Sequence, residues 1–78
     1  MRKLCEIAHE ICRDWGAANI NFAAKPYLAA MGDLQSIEEN YFMDSGKSIV
    51  SYFLSNAATW RGKNARRIKA ELESMVKG

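Results

Sequence analysis

Three side chains near the start of the chain, Cys5, His9 and Cys12, are of the types that bind zinc or act as thiolate nucleophiles. Their spacings of four and three residues place them on one flank of a helix. A structural zinc site normally has four ligands, however, and the sequence contains no other Cys or His. A Cys–His nucleophile pair also needs a third group to orient the imidazole, and the sequence identifies none. The pattern therefore favours two partly buried cysteines beside a surface histidine over a metal or catalytic site.

Two further motifs also fail to specify a reaction. Gly46-Lys47-Ser48 is similar to the end of a phosphate-binding loop, but Tyr41 stands where that pattern requires a glycine. Glu38 and Glu39 are adjacent, so on a helix they point about 100° apart and do not converge on one substrate atom. Because no set of titratable groups converges, we predict a non-enzymatic protein without catalytic residues, bound metal or cofactor.

The strongest chemical feature is a basic segment near the C-terminus. Six of the eleven Lys and Arg residues lie between positions 61 and 77, against only two acidic residues. Helical periodicity turns the apolar residues of this segment inward and its cations outward. Such a face fits an anionic partner, either nucleic-acid phosphates or an acidic protein surface, although a merely solvated face is the alternative. The predicted contact residues in this segment are Arg61, Lys63, Asn64, Arg66 and Arg67.

The aromatic residues divide into core and surface candidates. Tyr27 and Tyr41 continue the apolar face of a predicted helix, and Trp60 is more simply explained as a core anchor than as an exposed stacking platform. Phe42 and Met43 fit no single apolar stripe. We therefore predict an apolar contact on the surface there and add Phe42 to the predicted partner-binding residues.

The elements that must position these residues are helices. Apolar residues recur at spacings of three and four, with no sustained alternation, which predicts an all-α fold. Gly16 ends the first apolar stripe, Pro26 suits a first helical turn, and Thr59 is the predicted N-cap of the last helix. The predicted bundle has about four helices, at residues 3–15, 26–40, 46–57 and 60–76.

Length and charge limit the class of protein further. Seventy-eight residues predict a single domain spanning 1–78. The net charge is +2, divided into −2 over residues 1–40 and +4 over residues 41–78. No apolar run is long enough to cross a membrane, and no apolar signal-peptide region follows the N-terminus. We therefore expect a cytoplasmic protein with no membrane partner.

Three segments resemble a family of very small proteins encoded by phages and prophages. They are Lys-Pro-Tyr-Leu at 25–28, Tyr-Phe-Leu-Ser-Asn-Ala-Ala-Thr-Trp-Arg-Gly at 52–62 and Ala-Arg-Arg-Ile-Lys-Ala-Glu-Leu at 65–72. The resemblance covers about residues 25–76 and leaves the first helix outside it. It implies a setting, the cytoplasm of an infected host, where small phage proteins often bind host machinery. It implies no shared activity.

Two hypotheses for the function follow. The first is a phage accessory protein that binds a host protein or nucleoprotein complex, such as an inhibitor of CRISPR or of another host defence system. The alternative is a small DNA- or RNA-binding module in which the basic C-terminal helix completes a helix-turn-helix. The oligomeric state stays open. Binding to duplex DNA alone, with a steep dependence on salt, would distinguish the second hypothesis from the first.

Overall fold

Four α-helices, a short 3-10 turn and a small hairpin make up the described part of the chain, which is residues 2–78 of the computed structural model. In chain order they are α1 (Leu4–Trp15), the 3-10 turn (Phe22–Ala24), α2 (Lys25–Gly32), β1 (Asn40–Tyr41), β2 (Asp44–Ser45), α3 (Gly46–Ser55) and α4 (Lys63–Lys77). The prediction of a small helical bundle is confirmed in this form, with a two-stranded antiparallel hairpin added to it. None of the described helices combines the length and the apolarity needed to cross a bilayer.

Helix α1 follows its predicted boundaries closely. Its buried residues recur at spacings of three, one, three and four, so they line one face of the helix; they are Leu4, Ile7, Ala8, Ile11 and Trp15. The Lys3 amide donates a hydrogen bond to Oε1 of Glu6, which satisfies one of the free N–H groups at the helix start. Gly16 ends the helix at a φ of 88°, a conformation that glycine adopts without strain.

Helix α2 is much shorter than the predicted 26–40, and that prediction is wrong beyond Gly32. Local side-chain hydrogen bonds to the backbone compete with helix in the next segment: Ser36 Oγ accepts from the Glu38 amide, and Glu39 Oε1 accepts from the Gln35 amide. The carbonyls of Leu34 and Gln35 accept from the first amides of α1. The segment therefore serves as a loop that caps α1, followed by the hairpin.

Helix α3 begins where it was predicted, and α4 begins later than predicted. Ser45 caps α3, because its Oγ accepts a hydrogen bond from the Ser48 amide at 3.1 Å. The predicted N-cap of α4, Thr59, is wrong, because the helix starts at Lys63 after Gly62 at a φ of 118°. Trp60, the predicted first residue of this helix, is buried in the connection between α3 and α4, and the helix begins three residues later.

The core lies between the four helices, since α3 packs on α2 and α4 and α1 packs on the same two helices. Phe53 of α3 meets Trp15 of α1 edge-on, with ring centroids 6.3 Å apart, and Trp15 stacks on Trp60 at 5.6 Å. Helices α1 and α4 run antiparallel, because residues 2, 10 and 14 contact residues 71, 67 and 64 respectively. Tyr52 of α3 is half exposed, so one side of this helix faces solvent.

Candidate binding surfaces

The flank of α4 that faces α1 is neutralised within the chain. Arg67 Nη2 donates to Glu10 Oε2 at 2.6 Å, and Asn64 Nδ2 donates to Asp14 Oδ1 at 2.9 Å. Arg2 bridges Glu10 and Glu71, with Nη1 at 2.5 Å from Glu10 Oε1 and Nη2 at 2.6 Å from Glu71 Oε1. Two of the predicted contact residues, Asn64 and Arg67, thus hold α1 against α4. That they also contact a partner stays a prediction.

These contacts shift the titration of the carboxyl groups involved. Hydrogen bonds from Arg2, and then from Arg67, lower the pKa of Glu10 below its ordinary value of 4.5. The pKa of Glu71 is lowered in the same way by Arg2. The pKa of Asp14 is lowered by hydrogen bonds from Asn64 and then from the indole of Trp60. All three carboxylates are therefore ionised in the folded chain at neutral pH.

The lowered pKa of Glu10 predicts a loss of stability in acid. A folded-state pKa below the unfolded one stabilises the fold fully above about pH 4.5, and this contribution is lost as pH falls through the folded value. Glu10→Gln should therefore cost about 0.5–1 kcal/mol at pH 7, the range for partly exposed ion pairs, and a smaller amount at about pH 2.5. Urea unfolding at both pH values measures the difference.

Glu38→Gln is the matched control, since Glu38 is exposed and makes no ion pair within residues 2–78. Its stability should follow the same pH profile as the parent chain. An equal cost of Glu10→Gln at both pH values would mean that the charge of Glu10 does not stabilise the fold.

Three cations at the start of α4 remain outside the ion-pair network. Arg61, Lys63 and Arg66 are exposed, and among the described residues none of them lies within 4.0 Å of a carboxylate oxygen. Lys63 and Arg66 are three residues apart on α4 and so share one face. We call these three residues the basic surface. It is smaller than the sequence predicts, because α1 takes up the other flank of the helix.

Two residues next to the basic surface, Lys69 and Trp60, make contacts within the fold. Lys69 Nζ donates to the Trp60 carbonyl at 2.6 Å and lies 5.7 Å from the centroid of its indole ring. Partial burial and the charge of Arg61 lower the pKa of Lys69. The prediction that Trp60 is a core anchor is confirmed, since it is only 2% exposed.

The second predicted contact, Phe42, lies at the tip of the hairpin. Phe42 and Met43 form the two-residue turn between β1 and β2 and are 87% and 99% exposed; we call this pair the hairpin tip. Phe42 packs edge-on against the half-buried Tyr41, with ring centroids 4.7 Å apart. Tyr27 instead pairs with Tyr52 at 5.5 Å. Tyr27 and Tyr41 both pack partly against the core, as predicted.

The basic surface and the hairpin tip lie at opposite ends of α3. The hairpin leads directly into the start of α3 at Gly46, whereas the end of α3 at Ser55 leads through residues 56–62 into α4. A ten-residue helix spans about 15 Å. The structure therefore separates the predicted contact residues into two surfaces.

The Cys5, His9 and Cys12 flank of α1 lines an open groove of about 710 Å³ between α1 and α2, whose other wall includes Leu28 and Gly32. Both cysteines are free. Within residues 2–78, no three His, Cys, Asp or Glu side chains are grouped as metal ligands would be. The groove thus offers an apolar floor and a mixed polar rim.

Comparisons with protein-family models, with curated proteins and with solved structures found no match to this chain. The resemblance to small phage proteins therefore stays a prediction from the sequence.

Proposed function

We propose that this chain is a non-enzymatic protein that binds an anionic surface of a host protein or nucleoprotein complex through Arg61, Lys63 and Arg66. The observation that carries the proposal is the division of charge along α4. One flank of the helix is neutralised by α1, while the basic surface keeps its three cations exposed and outside any ion pair within residues 2–78. These cations are available to a partner.

Lys69 adds positive charge beside the basic surface, while Asp14 of α1, which lines the same cleft as Arg61, offsets part of it. The charge of Arg61 already acts on Lys69, where it contributes to the lowered pKa of that amine. An anionic partner would relieve this mutual repulsion, and the field of the cluster would increase its rate of association.

The geometry gives less support to the helix-turn-helix alternative. Seven residues, 56–62, connect α3 to α4, whereas that motif uses a turn of three or four. Asn64 and Arg67, which would read base edges at the start of a recognition helix, are hydrogen-bonded to Asp14 and Glu10. Three phosphate contacts would give a log–log salt slope of about −2.7 on duplex DNA, well below the slope of proteins that make six to ten contacts.

The resemblance to small phage proteins supports a partner inside the host cell. Inhibition of a defence complex such as a CRISPR effector fits the proposal, because a nucleoprotein presents anionic nucleic acid beside protein. A small chain that covers part of such a surface needs no chemistry of its own. The proposed activity is therefore binding.

Charge reversal tests the proposal. Arg61→Glu with Arg66→Glu should weaken binding to the partner about tenfold or more, because two attractive contacts become repulsive. Both side chains are exposed, so the free energy of unfolding should change by less than about 0.5 kcal/mol. The partner is obtained by affinity capture from host lysate with and without nuclease, purified, and titrated by calorimetry.

The matched control is Lys25→Glu with Lys77→Glu, which changes net charge equally at two exposed positions outside the basic surface. Its affinity should stay within about threefold of the parent chain. Equal losses in both double variants would show that only net charge matters. Tight binding of duplex DNA alone, abolished by Arg61→Glu with Arg66→Glu, would favour the nucleic-acid alternative.

A further inference from the structure

The hairpin tip exposes more apolar surface than the fold requires. Phe42 and Met43 are 87% and 99% exposed, at a position where a turn commonly carries Gly, Asn or Asp. Aromatic residues and methionine are the types enriched at protein interfaces, and the flexible thioether of Met43 adapts to irregular pockets. A turn selected only for its shape would not place both of these side chains in water.

The backbone of the turn also disfavours the residue that it carries. Phe42 has a φ of 56°, and it is the one non-glycine residue with a positive φ in the described part of the chain. A positive φ at the first central residue alone is the pattern of a type II′ turn, which favours glycine at that position. The aromatic ring is therefore retained against the local backbone preference, which points to a role outside the turn.

The charged residues on both sides of the hairpin tip, from residue 33 to residue 44, are all acidic. Residues 33–44 contain four acidic residues and no Lys or Arg. Glu38, Glu39 and Asp44 are exposed and flank the tip in sequence. The nearest cation along the chain after the tip is Lys47, in the first turn of α3. The tip thus combines an apolar centre with an acidic border, the complement of an apolar pocket with a basic rim.

We propose that the hairpin tip docks into an apolar pocket, rimmed by Lys or Arg, on a partner protein. Phe42 and Met43 fill the pocket, and Glu38 and Asp44 pair with its rim. This docking is a second contact, at the opposite end of α3 from the basic surface, and it does not depend on that surface. A nucleoprotein complex can offer both an anionic and a cationic surface to one small chain.

Two other occupants fit the charges less well. An anionic membrane would repel the acidic border of the tip. Neither of the two grooves that a second copy could offer within residues 2–78 has a uniformly basic rim: the groove between α1 and α2 includes Glu6 as well as His9 and Arg13, and the pocket beside Arg2 and Lys3 includes Glu38. A foreign protein with a uniformly basic rim is therefore the occupant that the charges favour.

Photocrosslinking in the natural host tests the proposal. The full chain is made with benzoylphenylalanine in place of Met43 and, as a control, in place of Phe22, which is 86% exposed on the 3-10 turn. A protein crosslinked from position 43 and not from position 22 is then purified, and its affinity for the parent chain is measured. Phe42→Gly and Met43→Ser should each weaken binding at least tenfold, and Phe22→Ser less than twofold.

Two further readouts separate docking from folding and from the basic surface. Phe42→Gly should raise the thermal midpoint by about 4 °C, because glycine relieves the positive φ, so its lost binding cannot be ascribed to unfolding. Glu38→Gln with Asp44→Asn should weaken binding at least threefold. Arg61→Glu with Arg66→Glu should leave the crosslink at position 43 in place, even if the proposal for the basic surface is wrong.

Several outcomes would overturn the docking proposal. These are the absence of a product specific to position 43, a product that joins two copies of this chain, and equal losses of affinity from Phe42→Gly and Phe22→Ser. Binding to vesicles of phosphatidylcholine and phosphatidylserine in equal amounts, lost in Met43→Ser, would assign the tip to a membrane instead.

Discussion

Trp60→Ala is expected to lower the free energy of unfolding by about 3–5 kcal/mol, the usual cost of removing a large buried aromatic side chain. Trp60 is 2% exposed and stacks on Trp15, with Phe53 at 6.4 Å on another side. A domain of this size has a total stability of roughly 4–12 kcal/mol. The variant should therefore be partly or wholly unfolded at 37 °C, which circular dichroism during urea and thermal unfolding would measure.

The polar contacts of Trp60 make the loss larger than that of an isolated apolar residue. Its indole Nε1 donates to Asp14 Oδ2 at 2.9 Å, and Lys69 reaches both its carbonyl and its ring. Trp60→Ala leaves Asp14 without one donor and lets the connection to α4 move. Because this connection carries Arg61, the variant should also weaken binding through the basic surface.

Trp60→Phe distinguishes the contribution of aromatic packing to stability from that of the indole hydrogen bond. Phenylalanine keeps most of the stacking on Trp15 but cannot donate to Asp14, so the expected loss is about 1–2 kcal/mol. The fold should remain at 37 °C. If Trp60→Ala costs no more than Trp60→Phe, the aromatic cluster of Trp15, Phe53 and Trp60 does not hold α1, α3 and α4 together as described.

The periodic apolar residues predict most of this fold. The stripe from Leu4 to Trp15 and the stripe from Ala65 to Met75 are both found buried, because spacings of three and four place residues on one helix face whatever the neighbouring elements are. Gly16 also acts as predicted, since a helix stop depends on local conformation. Such local signals can be read without knowing the tertiary structure.

The segment after α2 could not be predicted in the same way. Leu34, Ile37 and Tyr41 continue a helical spacing, yet they reach the core from a loop and a hairpin. The structure there is decided by two hydrogen bonds from the first amides of α1, Leu4 to the Gln35 carbonyl and Cys5 to the Leu34 carbonyl, which join residues 31 and 29 positions apart. Periodicity carries no information about such long-range hydrogen bonds.

The sequence predicts a basic face on the last helix, and the packing of α1 against α4 leaves only part of that face free of intramolecular contacts. The signal for that contact was in the sequence: Glu6, Glu10 and Asp14 recur at spacings of four, which makes an acidic ridge along α1. The pairing of this ridge with Arg67 and Asn64 depends on the antiparallel packing of α1 and α4, which sequence spacing does not give. Arg61 and Arg66 keep their predicted exposure.

Gly46→Ala is expected to destabilise the fold by about 2–3 kcal/mol, because the new methyl group meets backbone rather than a mobile side chain. A Cβ at this position would lie 2.8 Å from the Ile37 carbonyl oxygen and 3.0 Å from the Ile37 carbonyl carbon and Cα. The Gly46 amide also donates to the Glu39 carbonyl at 2.7 Å, which closes the base of the hairpin. If residues 37–39 move away to make room for the methyl group, this hydrogen bond is lost.

Gly32→Ala is the matched control for this substitution. Apart from its chain neighbours and the backbone of its own helix, no atom of residues 2–78 lies within 4 Å of a Cβ built on Gly32, at the end of α2, so alanine there should stabilise the fold by up to about 1 kcal/mol. Urea unfolding of both variants measures the contrast. Since Gly46 sets the hairpin on α3, Gly46→Ala should also weaken docking of the hairpin tip while Gly32→Ala leaves it intact. Equal stability of the two variants would contradict the close approach of residue 37 to the start of α3, and with it the fixed position of Phe42 and Met43 on which the docking proposal depends.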